Sequence, residues 1–181
     1  MSKILVDTID TRSGTSNITI GSSNASQITL KSGATLTNFP ANTPAFHMYA
    51  TGSTTINAGA VTKIALGGSY IDTDSGVDTS NSKFTVPSGK GGKYLVGAEL
   101  GLSANTNDVH IGIYVNGSHA YDGLNMWNDY GDSLSGMSRC NLLDLAAGDY
   151  LELYTLVTTT SVTTNSTHSR TKLFGFRLAG A

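Results

Sequence analysis

In the stretch Val109-His-Ile-Gly-Ile-Tyr-Val, the odd-numbered positions are Val109, Ile111, Ile113 and Val115, and the even ones are His110, Gly112 and Tyr114. A period of two sends alternate side chains to opposite faces of a strand, so one face of this segment belongs to a core and the other meets something different. Asn116-Gly117 follows at once, and both residues tolerate the positive φ of a type I′ hairpin turn. Ala147-Gly148-Asp149 separates Cys140-Asn-Leu-Leu-Asp-Leu from Tyr150-Leu-Glu-Leu-Tyr in the same manner. No segment sustains an amphipathic helical pattern, so the chain reads as all-β. Strands are expected at Ala45 to Ala50, Ala60 to Leu66, Lys83 to Val86, Lys93 to Ser103, Asp108 to Asn116, Ser118 to Tyr121, Met137 to Leu145, Tyr150 to Thr158 and Lys172 to Leu178. Many short strands with regularly spaced turns indicate a sandwich, jelly roll or barrel.

The segment before these strands has a different texture. From Ile4 to Thr37, short alternating patches such as Asn17-Ile-Thr-Ile and Gln27-Ile-Thr-Leu are punctuated by Gly14, Gly21 and Gly33. Strands this short expose too little apolar surface for a core of their own, and bundling with identical copies would supply it. Pro40 and Pro44 mark the joint, because proline fixes its own φ and pushes its predecessor toward extended backbone. The expected organisation is a β-rich stalk or attachment segment over residues 1–43 and a head over residues 44–181.

Composition sets the class of partner. With 11 Lys and Arg against 13 Asp and Glu and no basic run, counterion release has little to act on, which argues against nucleic-acid binding. No stretch approaches the ~20 apolar residues of a membrane-spanning helix, and Met1 to Asp10 lacks the apolar run of a signal peptide. Cys140 is the only cysteine, so no intrachain disulfide can form. Synthesis in a cytosol is therefore expected.

Enzyme signatures are missing from the sequence: there is no Gly-x-Ser-x-Gly elbow, no P-loop and no His-Glu-x-x-His. The four histidines fall outside metal-motif spacing. Asp72, Asp74 and Asp78 lie in one segment and form a candidate calcium site, since calcium takes six to eight oxygen ligands from flexible loops. The EF-hand reading fails because Lys83 stands where the bidentate Glu would fall. Trp127, Asn128 and Asp129 form a candidate receptor or glycan contact, in which a ring can stack on a sugar while its neighbours bind hydroxyls; burial of Trp127 in a core or interface is the competing reading. Aromatic residues on both strand faces exceed what one sandwich core uses, so His110, Tyr114, Phe174 and Phe176 are expected at an interface between three copies.

Five ordered pieces of the head resemble the C1q domain family, a branch of the C1q/TNF-like jelly rolls. They are Pro44-Ala-Phe-His; Lys83-Phe-Thr-Val-Pro with Gly92-Lys-Tyr-Leu-Val; Val109 through Asn116-Gly117; Asn141-Leu-Leu-Asp-Leu-Ala-Ala-Gly-Asp-Tyr-Leu-Glu-Leu; and Thr171-Lys-Leu-Phe-Gly-Phe-Arg-Leu. The resemblance covers about residues 44–181. It implies a ten-stranded jelly-roll sandwich that assembles as a homotrimer without catalysis, in a family where some heads bind calcium. The collagen stalk of secreted animal members is missing. The opening Ser2-Lys-Ile-Leu-Val-Asp-Thr-Ile is instead similar to the start of phage fibres and appendages.

The function expected from this reading is a non-enzymatic virion protein of a tailed phage. It would be displayed as a homotrimer, either as capsid decoration or head fibre or as a short tail-fibre knob. Residues 1–43 would bind other virion proteins, and the head would contact a host-surface glycan or protein. A soluble lectin-like module is the alternative, and a surface-glycan hydrolase ranks below both.

Overall fold

The chain falls into two units, residues 1–39 and 40–181. The computed structural model describes residues 43–104, 109–119, 125–126, 135–165 and 170–178, all in the second unit. The stalk reading for residues 1–43 lies almost entirely outside the described residues.

The described strands, numbered in chain order, build two main sheets. The first runs β11 (Ser135–Leu145), β7 (Gly92–Leu102), β14 (Lys172–Arg177), β1 (Ala45–Tyr49), β4 (Gly68–Asp72). The second runs β10 (Asn125–Met126), β8 (Val109–Val115), β12 (Tyr150–Val157), β6 (Lys83–Thr85), β5 (Val77–Asp78), with β3 (Thr62–Lys63) also paired to β12 and β9 (Ser118–His119) to β8. A small ribbon joins β13 (Val162–Thr163) to β2 (Thr55–Ile56). All neighbours are antiparallel. The long strands β7, β8, β11, β12 and β14 alternate between the two main sheets, which is how a jelly roll closes one layer over the other. No helix occurs among the described residues.

Alternation decides what fills the space between the layers. Phe46 and Met48 of β1, Tyr94, Val96, Ala98 and Leu100 of β7 and Leu173 of β14 turn inward from the first sheet. Val109, Ile111 and Ile113 of β8 meet them from the second, with Leu151 and Leu153 of β12 and Phe84 of β6. Phe46 and Phe84 stack across the sandwich with centroids 3.9 Å apart and planes 9° from parallel, so the two sheets are keyed together by an aromatic pair. Each such buried side chain contributes roughly 1.5–3 kcal/mol relative to exposure.

The hairpin after β8 forms as its sequence requires: Asn116 has φ 54° and Gly117 φ 75°. The Asn116 side chain also locks the turn to its neighbour, accepting from the Tyr150 amide at 3.0 Å and donating to Asp149 at 2.7 Å. The expected strand at Ala60 to Leu66 shrinks to Thr62–Lys63. Ile64 and Leu66 are still fully buried, but the Leu66 amide donates to the Ser82 hydroxyl instead of a ladder partner. Strands β2, β4, β5, β10 and β13 were not among the expected ones.

Candidate functional site

The acidic segment does not converge on a cation. Asp72 ends β4 and caps the following turn, accepting from the Gly76 amide at 2.9 Å and the Val77 amide at 3.2 Å. Asp74 pairs with Lys90 at 2.9 Å and accepts from the Thr73 hydroxyl at 2.7 Å, and the Lys90 bond above all holds its carboxyl below the usual range. Asp78 accepts from the backbone and side-chain nitrogens of Asn81 at 3.0 and 2.8 Å, which lower its pKa in the same way. Each carboxylate serves its own turn. Among the described residues no group of three or more His, Cys, Asp or Glu is placed to hold a metal ion, so the calcium reading of Asp72, Asp74 and Asp78 gains no support from their arrangement. Sequence proximity in a loop does not make side chains convergent. Trp127, Asn128 and Asp129 lie outside the described residues.

The outer face of the first sheet is a broad apolar surface. Strand register lines up Leu142, Leu95, Phe176 and Ala45 in one row. The next row is Cys140, Gly97, Phe174, His47 and Ile71, and the third is Ser138, Glu99, Lys172, Tyr49 and Gly68. Leu95 is 37% exposed, Ile71 46%, Leu142 56% and Tyr70 63%, an uncommon concentration of large apolar side chains on one flat surface. Two glycines keep it flat. A Cβ on Gly97 would sit 2.4 Å from the Phe174 ring, and one on Gly68 2.4 Å from the Tyr49 ring, so each ring lies directly on backbone.

His47 sits inside this surface, with its ring edge-on to Tyr70 at 5.3 Å and tilted against Phe174 at 5.9 Å. Tyr70 stacks in turn on Tyr49 at 4.2 Å. The His47 Nε2 is buried without a hydrogen-bond partner among the described residues. Burial first, and then the charge of Lys172, push its pKa below the ordinary histidine value, while Glu99 acts in the opposite direction. Lys172 and Glu99 pair at 2.9 Å at the polar margin of the face.

The second sheet presents a different outer face. Its centre is Gly112, flanked along β8 by His110 and Tyr114 and opposite Tyr154 on β12. Tyr114 packs against Tyr154 at 4.1 Å and against His119 of β9 at 5.1 Å. Gly112, His110 and these rings line an open groove of about 240 Å³, with Leu156 and Val61 also in its walls. The Tyr154 hydroxyl donates to Glu152 at 3.4 Å, and Glu152 is also paired with Lys63. Burial, then the Glu152 charge, raises the Tyr154 pKa.

His110 and Tyr114 therefore stand on the opposite side of the sandwich from Phe174 and Phe176. A period of two shows which side chains leave the core but not which sheet they leave from, and here the two pairs leave from different sheets. His47, Tyr49, Tyr70, Leu95 and Leu142 were not singled out in the sequence. For His47, Leu95 and Leu142 the signal was available, since each occupies the outward phase of an expected strand.

No protein-family model matches the sequence, and no curated protein is detectably similar to it. Solved structures match over the head. The globular domain of zebrafish complement 1qA protein superposes with TM-score 0.52 at 13% identity, covering 75% of this chain and 97% of that one. Eiger TNF from S. frugiperda gives 0.53 at 16% identity, covering 76% and 93%. Murine APRIL gives 0.56 at 12% identity, covering 74% and 98%. At these identities the likeness is one of fold, and the head has a C1q/TNF-like jelly-roll fold.

Proposed function

We propose that the chain is a non-enzymatic structural protein of a tailed-phage virion, displayed as a homotrimer whose axis runs along the outer face of the first sheet. One observation carries the trimer: the row Leu142, Leu95, Phe176 and Ala45, continued by Phe174, Tyr70 and Ile71, is apolar surface that a monomer would leave in water. At about 25 cal/mol per Å² such a face favours association. A three-fold ring is a head-to-tail contact that closes on itself, so each copy contributes two parts of this face and no open end remains. The C1q/TNF-like fold supports the same arrangement, because the C1q family it resembles assembles as homotrimers. Phe174 and Phe176 belong to this interface, whereas Tyr114 and His110 face outward.

The phage context rests on the opening Ser2-Lys-Ile-Leu-Val-Asp-Thr-Ile and on the short-strand texture of residues 1–43, which would bind other virion proteins. Capsid decoration or a head fibre and a short tail-fibre knob both accommodate this reading. Light scattering of the full chain tests the assembly: three times the 18.8 kDa chain mass is expected, and a monomer at micromolar concentration would overturn it. Mass spectrometry of purified particles tests the location. A trimer absent from every particle would favour a soluble lectin-like module.

A further inference from the structure

We propose that the groove over Gly112 binds one neutral pyranose ring at the end of a glycan. The site lies within a single chain and uses no residue of the trimer face, so it stands or falls separately from the assembly. Three features select the ligand. The first is size: about 240 Å³ is below the ~300–1,000 Å³ typical of pockets for drug-sized molecules, which leaves room for one ring and excludes a peptide strand or helix.

The second is the shape of the chemistry. Tyr114, Tyr154 and Leu156 offer apolar faces, and the polar residues His110, His119 and Thr155 line the same hollow. A pyranose is amphipathic in the matching sense, with an axial C–H face that packs on a ring and hydroxyls at its edge. The third is charge. Among the described residues no Lys, Arg, Asp or Glu lines the groove, and Glu152, two residues from Tyr154 on β12, is held by Lys63 and Tyr154. Among the described lining residues a phosphate or carboxylate ligand would find no counter-charge, and a cation no carboxylate.

Gly112 lets the rings of the groove close down on the strand backbone. A Cβ there would lie 2.9 Å from the Tyr114 ring and 3.1 Å from the His119 Nε2, so any other residue would fill the floor or displace the rings. Glycine in a strand interior weakens the strand, and it often marks a place where something else approaches the backbone closely.

The test is titration of the full chain with the methyl glycosides of glucose, galactose, mannose and N-acetylglucosamine, followed by calorimetry and saturation-transfer NMR. At least one should bind with a Kd on the order of millimolar, the range open to so small a ligand. Tyr154→Ala should weaken that binding about tenfold or more. Val61 is 57% exposed at the rim, so Val61→Arg leaves the core untouched and lays a long side chain across the rings; it should block the same glycoside. If Tyr154→Ala fails to fold, Val61→Arg decides alone. Binding by none of the glycosides, binding unchanged by Val61→Arg, or tighter binding of methyl glucuronide than of every neutral glycoside overturns the proposal. Light scattering on the same samples separates the two readings: a monomer that binds glycoside keeps the site and discards the trimer.

Discussion

The two outer faces of the sandwich use the same device to opposite ends. On the first sheet, Gly97 and Gly68 let the rings of Phe174 and Tyr49 lie down on the backbone, and the result is a flat apolar surface with Leu95 and Leu142 beside it. On the second, Tyr114, Tyr154 and His119 stand around a hollow whose wall includes Gly112. Charges reinforce the difference. The first face holds its Lys172–Glu99 pair at the margin, whereas the second is crossed by Lys63–Glu152 and by Lys83 over the Tyr150 ring at 5.1 Å. A glycine beneath a ring makes a surface for a large flat partner; a glycine between rings makes a site for a small one.

The comparison breaks most visibly if the flat face is charged. Replacing Leu95 and Leu142 together by Arg puts two cations side by side in one row of the first sheet, where three-fold closure would bring six together. Unpaired buried charge costs several kcal/mol per ion, so the trimer should dissociate to a folded monomer. Sedimentation velocity should show the mass fall to that of one chain. Tyr154→Ala in the groove should leave the mass unchanged.

Filling the glycines sharpens the contrast. Gly97→Val drives a side chain into the Phe174 ring, which has no outward escape once a second copy covers it, so a loss of about 1–3 kcal/mol is expected in chemical denaturation of the trimer. Gly112→Val meets Tyr114 and His119 on the exposed side of the sheet, where solvent rather than a second copy lies beyond the rings. Its cost should be smaller and its main effect should be loss of glycoside binding.

The acidic turn offers a control that touches neither face. Asp72→Ala removes two bonds to backbone amides and should cost about 0.5–1.5 kcal/mol per bond lost. Because its carboxylates serve turns, calcium should leave the melting temperature of the unaltered protein where it was. A calcium-dependent rise abolished by Asp72→Asn would contradict this.

How much of this was legible in the sequence depends on what the pattern encodes. The alternation of Val109 to Val115, the Asn116-Gly117 turn and the long run from Lys93 to Ser103 were read nearly at their observed bounds, because each carries its own local signal. Strands of two residues, such as Thr55–Ile56 and Val162–Thr163, have no period to detect and exist only because a partner lies alongside. Gly68–Asp72 carries no strand signal in the sequence, since it alternates poorly and is held by β1 across a bulge. The candidate interface suffered most. Outward-facing Tyr114 and Phe174 look alike along the chain, and only the sheet order separates them.

The smallest expected effect is the pH dependence of the flat face. His47 lies among Tyr70, Phe174, Lys172 and Glu99, and burial, then Lys172, hold its pKa below the 6.5 of a free histidine. The unfolded chain therefore takes up a proton at this position at higher pH than the folded chain does. As pH falls from about 7.5 through 6.5, the unfolded state gains protons first, and stability decreases until the folded-state pKa is passed and the slope levels off. Above pH about 7.5 both states are neutral and the term is constant. His47→Gln removes the titration while keeping a polar side chain of similar reach. The expected result is a melting temperature that declines between about pH 7.5 and 5 in the unaltered protein and declines less in His47→Gln, with Glu99 and Lys172 unchanged in both. If the two proteins lose stability in parallel, His47 is not the group that responds, and the acid sensitivity of the flat face must come from carboxylates such as Glu99.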